Sequence, residues 1–504
     1  VALTIIAHLI YGYMAAATLV LAAALPDGDS RARNRFVRLA WIGAVSFALT
    51  AFVIVPMLGS AAFINRSRWE PAWKWESFGI AQVLRLVATG DLVDAGRRPI
   101  VALFALAGTI AILRTRDRTG RFAVAGSLLW TSLFAGSKTW GPLFHAIGVG
   151  DQVQTHRFIG GLHWFLMILA GIGLARLWMW RRFWGVAISL VLLAFPVAER
   201  IQYMRDDHVW GAENLAAYES QRNAIDRVAA LLRARGGRAY AGLDSSWGTQ
   251  FKVGYVPFYA FLSRQHVPAV AFPYHGMALP ADIMVRFDER RPDHYRLFDI
   301  RSAVAESTRP MQPFLTPIAN IGNFRVYAAP PSSSFDLVSV PYSIYADRRT
   351  FYDVNDAWLQ SGWVASRTHA LIDYGSRVPT YALPRLATAD AFAQPAAAPL
   401  TLGSILAERA TDDRYEADVS AITGCFLLLK STYHPNWRVD VDGTAQPVVM
   451  LTPGFAAVRL ASGRHLVSFS YAHGAAKTAL LGLAFPLLAV ALFAERRGYA
   501  ARKR

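Results

Sequence analysis

The sequence predicts an α-helical membrane bundle of about seven spans, then a large external α+β region ending in a small antiparallel β-sandwich, closed by one C-terminal transmembrane helix. Three observations carry this reading. Hydrophobic residues make up 54% of the 504 residues and charged ones only 17%, with a mean hydropathy of +0.26, above what a water-soluble chain usually carries. Apolar runs stand at about 3–25, 39–58, 99–113, 122–136, 158–178, 183–198 and 478–494. Arg-rich connections alternate with connections of other composition between those runs.

Several runs fall short of the roughly 20 residues that a straight spanning helix needs, so flanking Arg side chains must reach the interface by snorkelling. The 99–136 pair is the shortest. The Arg-rich connections are Arg31, Arg33, Arg35 and Arg38; Arg114, Arg116, Arg118 and Arg121; Arg176, Arg181 and Arg182; and the tail Arg496, Arg497, Arg502, Lys503 and Arg504. The positive-inside rule makes these cytoplasmic, and it puts the N-terminus of this chain, the 59–98 and 137–157 loops and the whole of 201–476 outside the cell membrane. Much of the formal charge of +17 is thereby a signature of insertion and of contact with anionic membrane lipid. It gives no support to nucleic-acid binding. A single cysteine, Cys425, excludes an internal disulfide framework. The chain opens on Val1 with no basic n-region, so residues 1–25 read as a span, and the expectation is a piece of a longer protein.

The expected organisation is a bundle over 1–200, an α+β module over 201–330, a linker and β region over 331–401, a β-sandwich over 402–476, and the last helix with its basic tail over 477–504. Ile225, Val228, Leu231 and Leu232 share one face of a helix that ends at Gly236-Gly237, and a strand, RAYAGL, follows. Pro330-Pro331 with three serines, and QPAAAP near 394, mark linkers. Alternation in WRVDV, the Asp442-Gly443 turn and PVVM predict one hairpin; FAAVRL, Ser462-Gly463 and HLVSFSY predict a second.

Between the second and third runs lies a polar, Trp-dense segment, Asn65 to Arg98. Glu70, Glu76, Asp91 and Asp94 are its candidate catalytic carboxylates, able to act as a general base for an acceptor hydroxyl or to hold a divalent cation. The bland alternative is surface ion pairing with Arg66, Arg68, Lys74, Arg85 and Arg97. Trp69, Trp73 and Trp75 suit stacking on a sugar face, and equally suit an interfacial aromatic belt. Further along, His156-Arg157-Phe158 heads the fifth run, where a guanidinium can grip a lipid phosphate bidentately or simply anchor a helix end. His145 and Asp151 stand close enough in sequence to join it. His8, beside Tyr11, is an ionisable group inside the first apolar run and hence a candidate substrate contact. Asn65-Arg66-Ser67 matches a glycosylation acceptor.

The run STYHPNWRVDVDGTAQPVVMLTPGFAAVRLASGRHLVSFSY, just ahead of the last helix, resembles the C-terminal external module of the YfhO family, through Tyr433, Pro435, Trp437, Asp442-Gly443, Gly463-Arg464-His465 and Tyr471. That family is grouped with the GT-C polytopic glycosyltransferases. The resemblance implies a membrane glycosyltransferase, or a fragment of one, that takes sugar from a polyprenyl-phosphate lipid and gives it to an envelope glycan acceptor. It also implies that the principal catalytic acid belongs to a first external loop upstream of this sequence. The alternative is a non-catalytic membrane protein with external glycan-binding or envelope-assembly modules. The charge alternation yields a first test: a periplasmic-type reporter fused after residue 330 is expected to be active, and one fused within 114–121 inactive. The reverse pattern would refute the orientation.

Overall fold

The computed structural model describes residues 1–26, 31–115, 118–146, 153–180, 182–270, 276–395, 401–472 and 474–502. Arg116, Asp151, Arg181, Lys503, Arg504 and most of the linker near 394 lie outside the described residues, as do the side chains of Arg118, His145, Arg182, Arg496, Arg497 and Arg502. The chain forms two compact units, one of residues 1–59, 70–208 and 475–504, the other of residues 60–69 and 209–474.

The first unit is helical. It contains α1 (Ala2–Ala7), α2 (Leu9–Ala24), α3 (Ala32–Gly59), α4 (Ala72–Glu76), α5 (Ile80–Thr89), α6 (Asp91–Asp94), α7 (Ile100–Thr115), α8 (Arg118–Phe134), α9 (Ser137–Trp140), α10 (Pro142–Ala146), α11 (Ile159–Met179), the first part of α12 (Arg182–Arg235) and the C-terminal helix Ala475–Arg502. Each predicted apolar run is largely helical. Among the described residues, four helices are long and apolar enough to cross a membrane: 32–59, 155–179, 183–235 and 475–493. Helices α2, α5 and α7 are apolar but shorter. Phe36, Trp41, Phe47 and Leu58 of α3, and Leu483, Phe485, Val490 and Phe493 of the last helix, are exposed. Such surfaces need lipid as their solvent. Trp178, Trp180 and Trp184 are exposed around the turn from α11 to α12 and suit a membrane interface.

Polar side chains inside the spans satisfy themselves. Thr50 donates to the Ser46 carbonyl, Ser127 to Ala123 and Ser189 to Gly185, each one turn back. Packing relies on close backbone approach. A Cβ at Gly108 of α7 would overlap the Leu169 carbonyl of α11, and one at Gly173 of α11 would overlap the Phe104 carbonyl of α7. This reciprocal contact of small residues lets dispersion hold two helices together where lipid offers no hydrophobic drive. Around it lie Phe104, Trp130, Phe134, Phe158, Leu162, Phe165 and Leu169, all buried.

Two expectations change here. The first run is not one helix: His8 stands between α1 and α2 with extended backbone, φ −165° and ψ 116°. The 59–98 segment is not an open loop. It folds into α4, α5 and α6, and residues 60–69 belong to the second unit while Glu70 onward belongs to the first.

The second unit is rich in sheet. Helix α12 runs unbroken to Arg235, and its Ile225, Val228, Ala229 and Leu232 are buried. Gly236 and Gly237, both at φ +66°, then turn the chain into a strand. Strands β1 (Arg238–Tyr240), β2 (Lys252–Val253), β3 (Val256–Pro257), β4 (Ala269–Val270), β5 (Ile300–Glu306), β6 (Thr316–Ile321) and β7 (Phe324–Ala328) follow, interleaved with α13 (Phe258–Arg264), α14 (Ala281–Met284) and α15 (Pro292–Leu297). Five of these strands form a mixed sheet in the order β4-β1-β5-β7-β6.

Next come β8 (Phe335–Tyr345), α16 (Phe351–Gln360), β9 (Thr368–Asp373), β10 (Arg385–Leu386), β11 (Gly403–Ala410), β12 (Arg414–Ala421), β13 (Cys425–Thr432), β14 (Trp437–Val441), β15 (Thr444–Gln446), β16 (Val449–Leu451), β17 (Phe455–Leu460) and β18 (Gly463–Tyr471). The order β8-β13-β17-β16-β9 closes on itself through the β8–β9 pairing, making a small barrel. A separate antiparallel sheet runs β11-β12-β18-β14-β15.

The predicted hairpins are corrected by this topology. Asp442 and Gly443, both at positive φ, do make a tight turn, but it pairs β14 with β15 and leaves PVVM to the barrel, where β16 pairs with β17. FAAVRL and HLVSFSY do not pair with each other. The first is β17 of the barrel and the second is β18, held between β12 and β14. In place of a self-contained sandwich over 402–476, these strands are divided between the barrel and the second sheet.

The helix packing and the buried histidines each have a measurable consequence. Gly108→Leu is expected to abolish recovery of monodisperse protein in detergent, whereas Gly43→Leu, where an added Cβ meets nothing within 4 Å, should be tolerated; equal recovery of both would refute the contact. The second consequence concerns pH. His369 is buried with Nδ1 bonded to the Thr452 carbonyl, and burial pushes its ring down to about 4. His294 is shifted the same way by burial, with its Nδ1 accepting from the Asp288 N–H. Both rings stay neutral in the folded state and take up a proton near pH 6.5 when unfolded. Stability is therefore complete above about pH 6.5 and falls as pH drops toward 4, by on the order of 3 kcal/mol for His369 alone. A melting temperature of the second unit that stays flat from pH 7 to 4.5 would refute this.

Candidate functional site

The break at His8 is where the polar groups of the first unit converge. Beyond the break, Gly12 receives the helix again by donating its N–H to the His8 carbonyl at 3.0 Å. Gly12 is closed in by Ile5, so the bend leaves no room for a side chain there. At this kink the Arg157 Nη1 lies 3.1 Å from His8 Nε2. The guanidinium is the donor, so His8 accepts at Nε2 and carries its proton on Nδ1. That Nδ1 is buried with no hydrogen-bond partner among the described residues.

Arg157 belongs to a 3-10 turn, Thr155–Phe158, that leads into α11. Its Nε donates to Gln154 Oε1 at 2.9 Å, and the same amide donates from Nε2 to Glu70 Oε2 at 2.9 Å. Glu70 is buried and sits 3.5 Å from the Lys74 ammonium, one turn away on the sequence. The turn is fastened to α4 from the other side. Thr155 donates to the Trp75 carbonyl at 2.6 Å, and His156 Nδ1 bonds to the Lys74 carbonyl at 2.8 Å. Trp73 lies edge-on to His156 with centroids 5.0 Å apart, and stacks on Phe78 at 5.7 Å. A continuous chain thus runs His8, Arg157, Gln154, Glu70, Lys74, linking three sequence-distant elements.

No family model and no curated protein matches the chain. Among solved structures it is similar to the cryo-EM structure of the arabinofuranosyltransferase AftD from mycobacteria, with a TM-score of 0.39 and 14% identity, covering 91% of this chain and 43% of that one. A mutant form of that enzyme, in its class 2 reconstruction, gives a TM-score of 0.33 at 14% identity, covering 91% and 45%. The chain spans less than half the length of these structures.

Of the residues singled out from sequence, Glu70, His156, Arg157, His8 and Trp73 come together in this cluster, and Trp75 contributes its backbone carbonyl. The other carboxylates lie elsewhere. Asp94 is buried, and its two oxygens accept the N–H groups of Val101 and Ala102 at 3.1 and 2.9 Å, capping the first turn of α7. Asp91 is exposed and accepts from Thr89 at 2.9 Å. Glu76 is exposed at the end of α4. Trp69 belongs to the second unit, edge-on to Tyr352 at 6.3 Å. Among the described residues, no group of three or more His, Cys, Asp or Glu is placed to hold a metal ion. The glycosylation match is closed: the Asn65 Nδ2 is buried and the Ser67 hydroxyl donates to Asp282.

Lys74 enters the cluster as the pairing partner that the bland alternative expects for these carboxylates. Gln154 is a member that sequence reasoning misses. Its signal is readable all the same, a neutral amide three residues before a candidate Arg at the head of a span; an amide can donate to a carboxylate and accept from a guanidinium at once.

Proposed function

We propose that this chain is a GT-C-like glycosyltransferase, or part of one, moving a sugar from a polyprenyl phosphate to an envelope glycan at the outer face of the cytoplasmic membrane. Three things support the reading: the resemblance of residues 431–471 to the YfhO external module, the apolar helices, and above all the polar chain at the His8 break. A broken helix inside an apolar bundle is tolerated only where its backbone is buried in protein or lines a cavity. An arginine docked on such a break, with a buried carboxylate one amide away, is a pairing suited to anionic leaving-group chemistry.

In this mechanism the acceptor hydroxyl attacks the anomeric carbon as the bond from that carbon to the phosphate oxygen breaks. The hydroxyl proton passes to the Glu70 carboxylate, and the polyprenyl phosphate leaves with its negative charge held by Arg157. A fixed guanidinium acts here as preorganised charge, needing no solvent reorganisation as the phosphate departs. Gln154 is a positioning residue, since it orients both ionic groups. His8 and His156 border the donor phosphate, and Trp73 offers a face to the sugar. Asp94, Asp91 and Glu76 are left with structural or solvent-facing roles.

The test uses the complete protein in membranes with a radiolabelled polyprenyl-phosphate sugar. Arg157→Ala is expected to cut transfer at least about 100-fold, the loss typical when one preorganised charge donor is removed, with normal expression. Arg157→Lys should recover only part, because a point charge replaces a fork. Glu70→Gln should match Arg157→Ala, whereas Asp94→Asn should lower thermal stability more than transfer. Wild-type transfer by both the Arg157→Ala and Glu70→Gln proteins would sink the assignment.

A further inference from the structure

The parallel part of the mixed sheet in the second unit sets up another place for a ligand. Strand β1 pairs in parallel with β4 on one side and with β5 on the other. The chain therefore leaves β1 to one side and later crosses to the other, which makes β1 the topological switch point of the sheet. In open α/β sheets, ligands bind outside the carboxyl ends of the strands at such a point. Two segments meet there, 241–251 after β1 and 307–315 after β5, and Ser245, Ser246 and Thr308 on them are exposed.

Glu289, half-buried in the turn before α15, supplies the carboxylate of this site. Its Oε2 accepts the Tyr240 hydroxyl, from the last residue of β1, and the Trp247 indole N–H, both at 2.6 Å. Those two donors occupy one oxygen, and Oε1 accepts no hydrogen bond among the described residues. The adjacent Arg290 is turned to Asp288 instead, at 3.0 and 3.2 Å. Arg309, from the segment after β5, lies over the same indole, its guanidinium carbon 4.4 Å from the ring centroid. Among the described residues that guanidinium makes no hydrogen bond or ion pair. One tryptophan thus carries a carboxylate on its N–H and an arginine on its face, and the two ions do not pair. Tyr295 adds an independent sign. It is fully buried, edge-on to Tyr240 with centroids 6.1 Å apart, and its hydroxyl has no hydrogen-bond partner among the described residues. Burial raises its phenol, and the Glu289 and Asp288 charges add to the rise, so the O–H stays a donor. A buried donor without an acceptor is costly unless something supplies one.

We infer that the carboxyl end of β1 binds a sugar residue, with Glu289 Oε1 accepting from its hydroxyls and Arg309 donating to their oxygens. A sugar hydroxyl donates and accepts at once, so a neutral polyol satisfies both ions. A simple anion would be repelled by Glu289, and a simple cation by Arg309. Tyr240 and Trp247 already fix the carboxylate, which lowers the cost of ordering it when the sugar binds. The sugar site does not rest on the glycosyltransferase reading, since none of these residues belongs to the transfer site.

The test is saturation-transfer difference NMR on the full chain in micelles of a polyoxyethylene detergent, which carries no sugar headgroup. The probes are the methyl glycosides of glucose, galactose, mannose and arabinose, with glycine as a zwitterion able to bridge the same two ions. Saturable transfer to at least one glycoside is expected, with affinity weakened at least about tenfold by Glu289→Gln and by Arg309→Gln, as the loss of a charged hydrogen bond predicts. Glu289→Gln keeps an amide oxygen for Tyr240 and Trp247, while its NH2 group cannot accept from a hydroxyl. Should that variant fold poorly, Arg309→Gln decides, because the Arg309 side chain holds no hydrogen bond of the fold. A sugar held at the transfer site instead would lose affinity in Arg157→Ala and keep it in both of these variants. Absence of saturable transfer to every glycoside, tighter binding of glycine than of any glycoside, or affinity unchanged in the folded variants overturns the inference, whatever the fate of the transfer assay.

Discussion

Hydrocarbon offers a peptide group no water, and the rest of the first unit is arranged around that constraint. Regular helices meet it everywhere except at His8, where the backbone is extended between α1 and α2. The break is bridged locally, His8 donating its N–H to Thr4 at 2.9 Å and Gly12 donating back to His8 at 3.0 Å. What remains is a side chain with two ring nitrogens, one of which meets Arg157. The kink therefore brings a neutral acceptor to a cation. A carboxylate at this position would neutralise the guanidinium, and a neutral ring leaves its charge available.

The same economy governs the other end of the chain of contacts. Glu70 is buried, and a buried carboxylate is tolerated only if it is paired and bonded. Lys74 supplies charge at 3.5 Å and Gln154 supplies a hydrogen bond at 2.9 Å. Because the amide stands between Glu70 and Arg157, the two ions are held in one network without forming a direct salt bridge. Removing Gln154 would release both at once, so its effect should exceed that of an ordinary neutral hydrogen bond.

Much of this arrangement is legible in the sequence, and what is not has identifiable causes. Helices come through because apolar runs and flanking arginines report membrane insertion directly, whatever the tertiary contacts. The break at His8 stays hidden because one residue of extended backbone leaves no trace in a hydropathy average. Strands are recognisable as strands but are easily mispaired. Adjacency suggests that FAAVRL and HLVSFSY form a hairpin, yet their burial patterns differ: β17 is buried at nearly every position, and β18 alternates toward its end. A continuous apolar run belongs to a strand covered on both faces, and an alternating one to a sheet with a solvated face. That mismatch of period is written in the two runs themselves and argues for two different sheets. Within the candidate site, residue type alone cannot separate Glu70 from Asp94, Asp91 and Glu76, since all four share one short polar segment.

Geometry separates them by what each oxygen already does. Asp94 spends both oxygens on the first turn of α7, where the exposed N–H groups of a helix start are a natural carboxylate site. The helix that Asp94 caps packs backbone to backbone on α11 through Gly108 and Gly173. Glu70 lies beside a short helix whose contacts to the 155–158 turn are made by the backbone carbonyls of Lys74 and Trp75. The fold thus commits the Asp94 side chain to a helix start, and it holds the Glu70 side chain through Lys74 and Gln154.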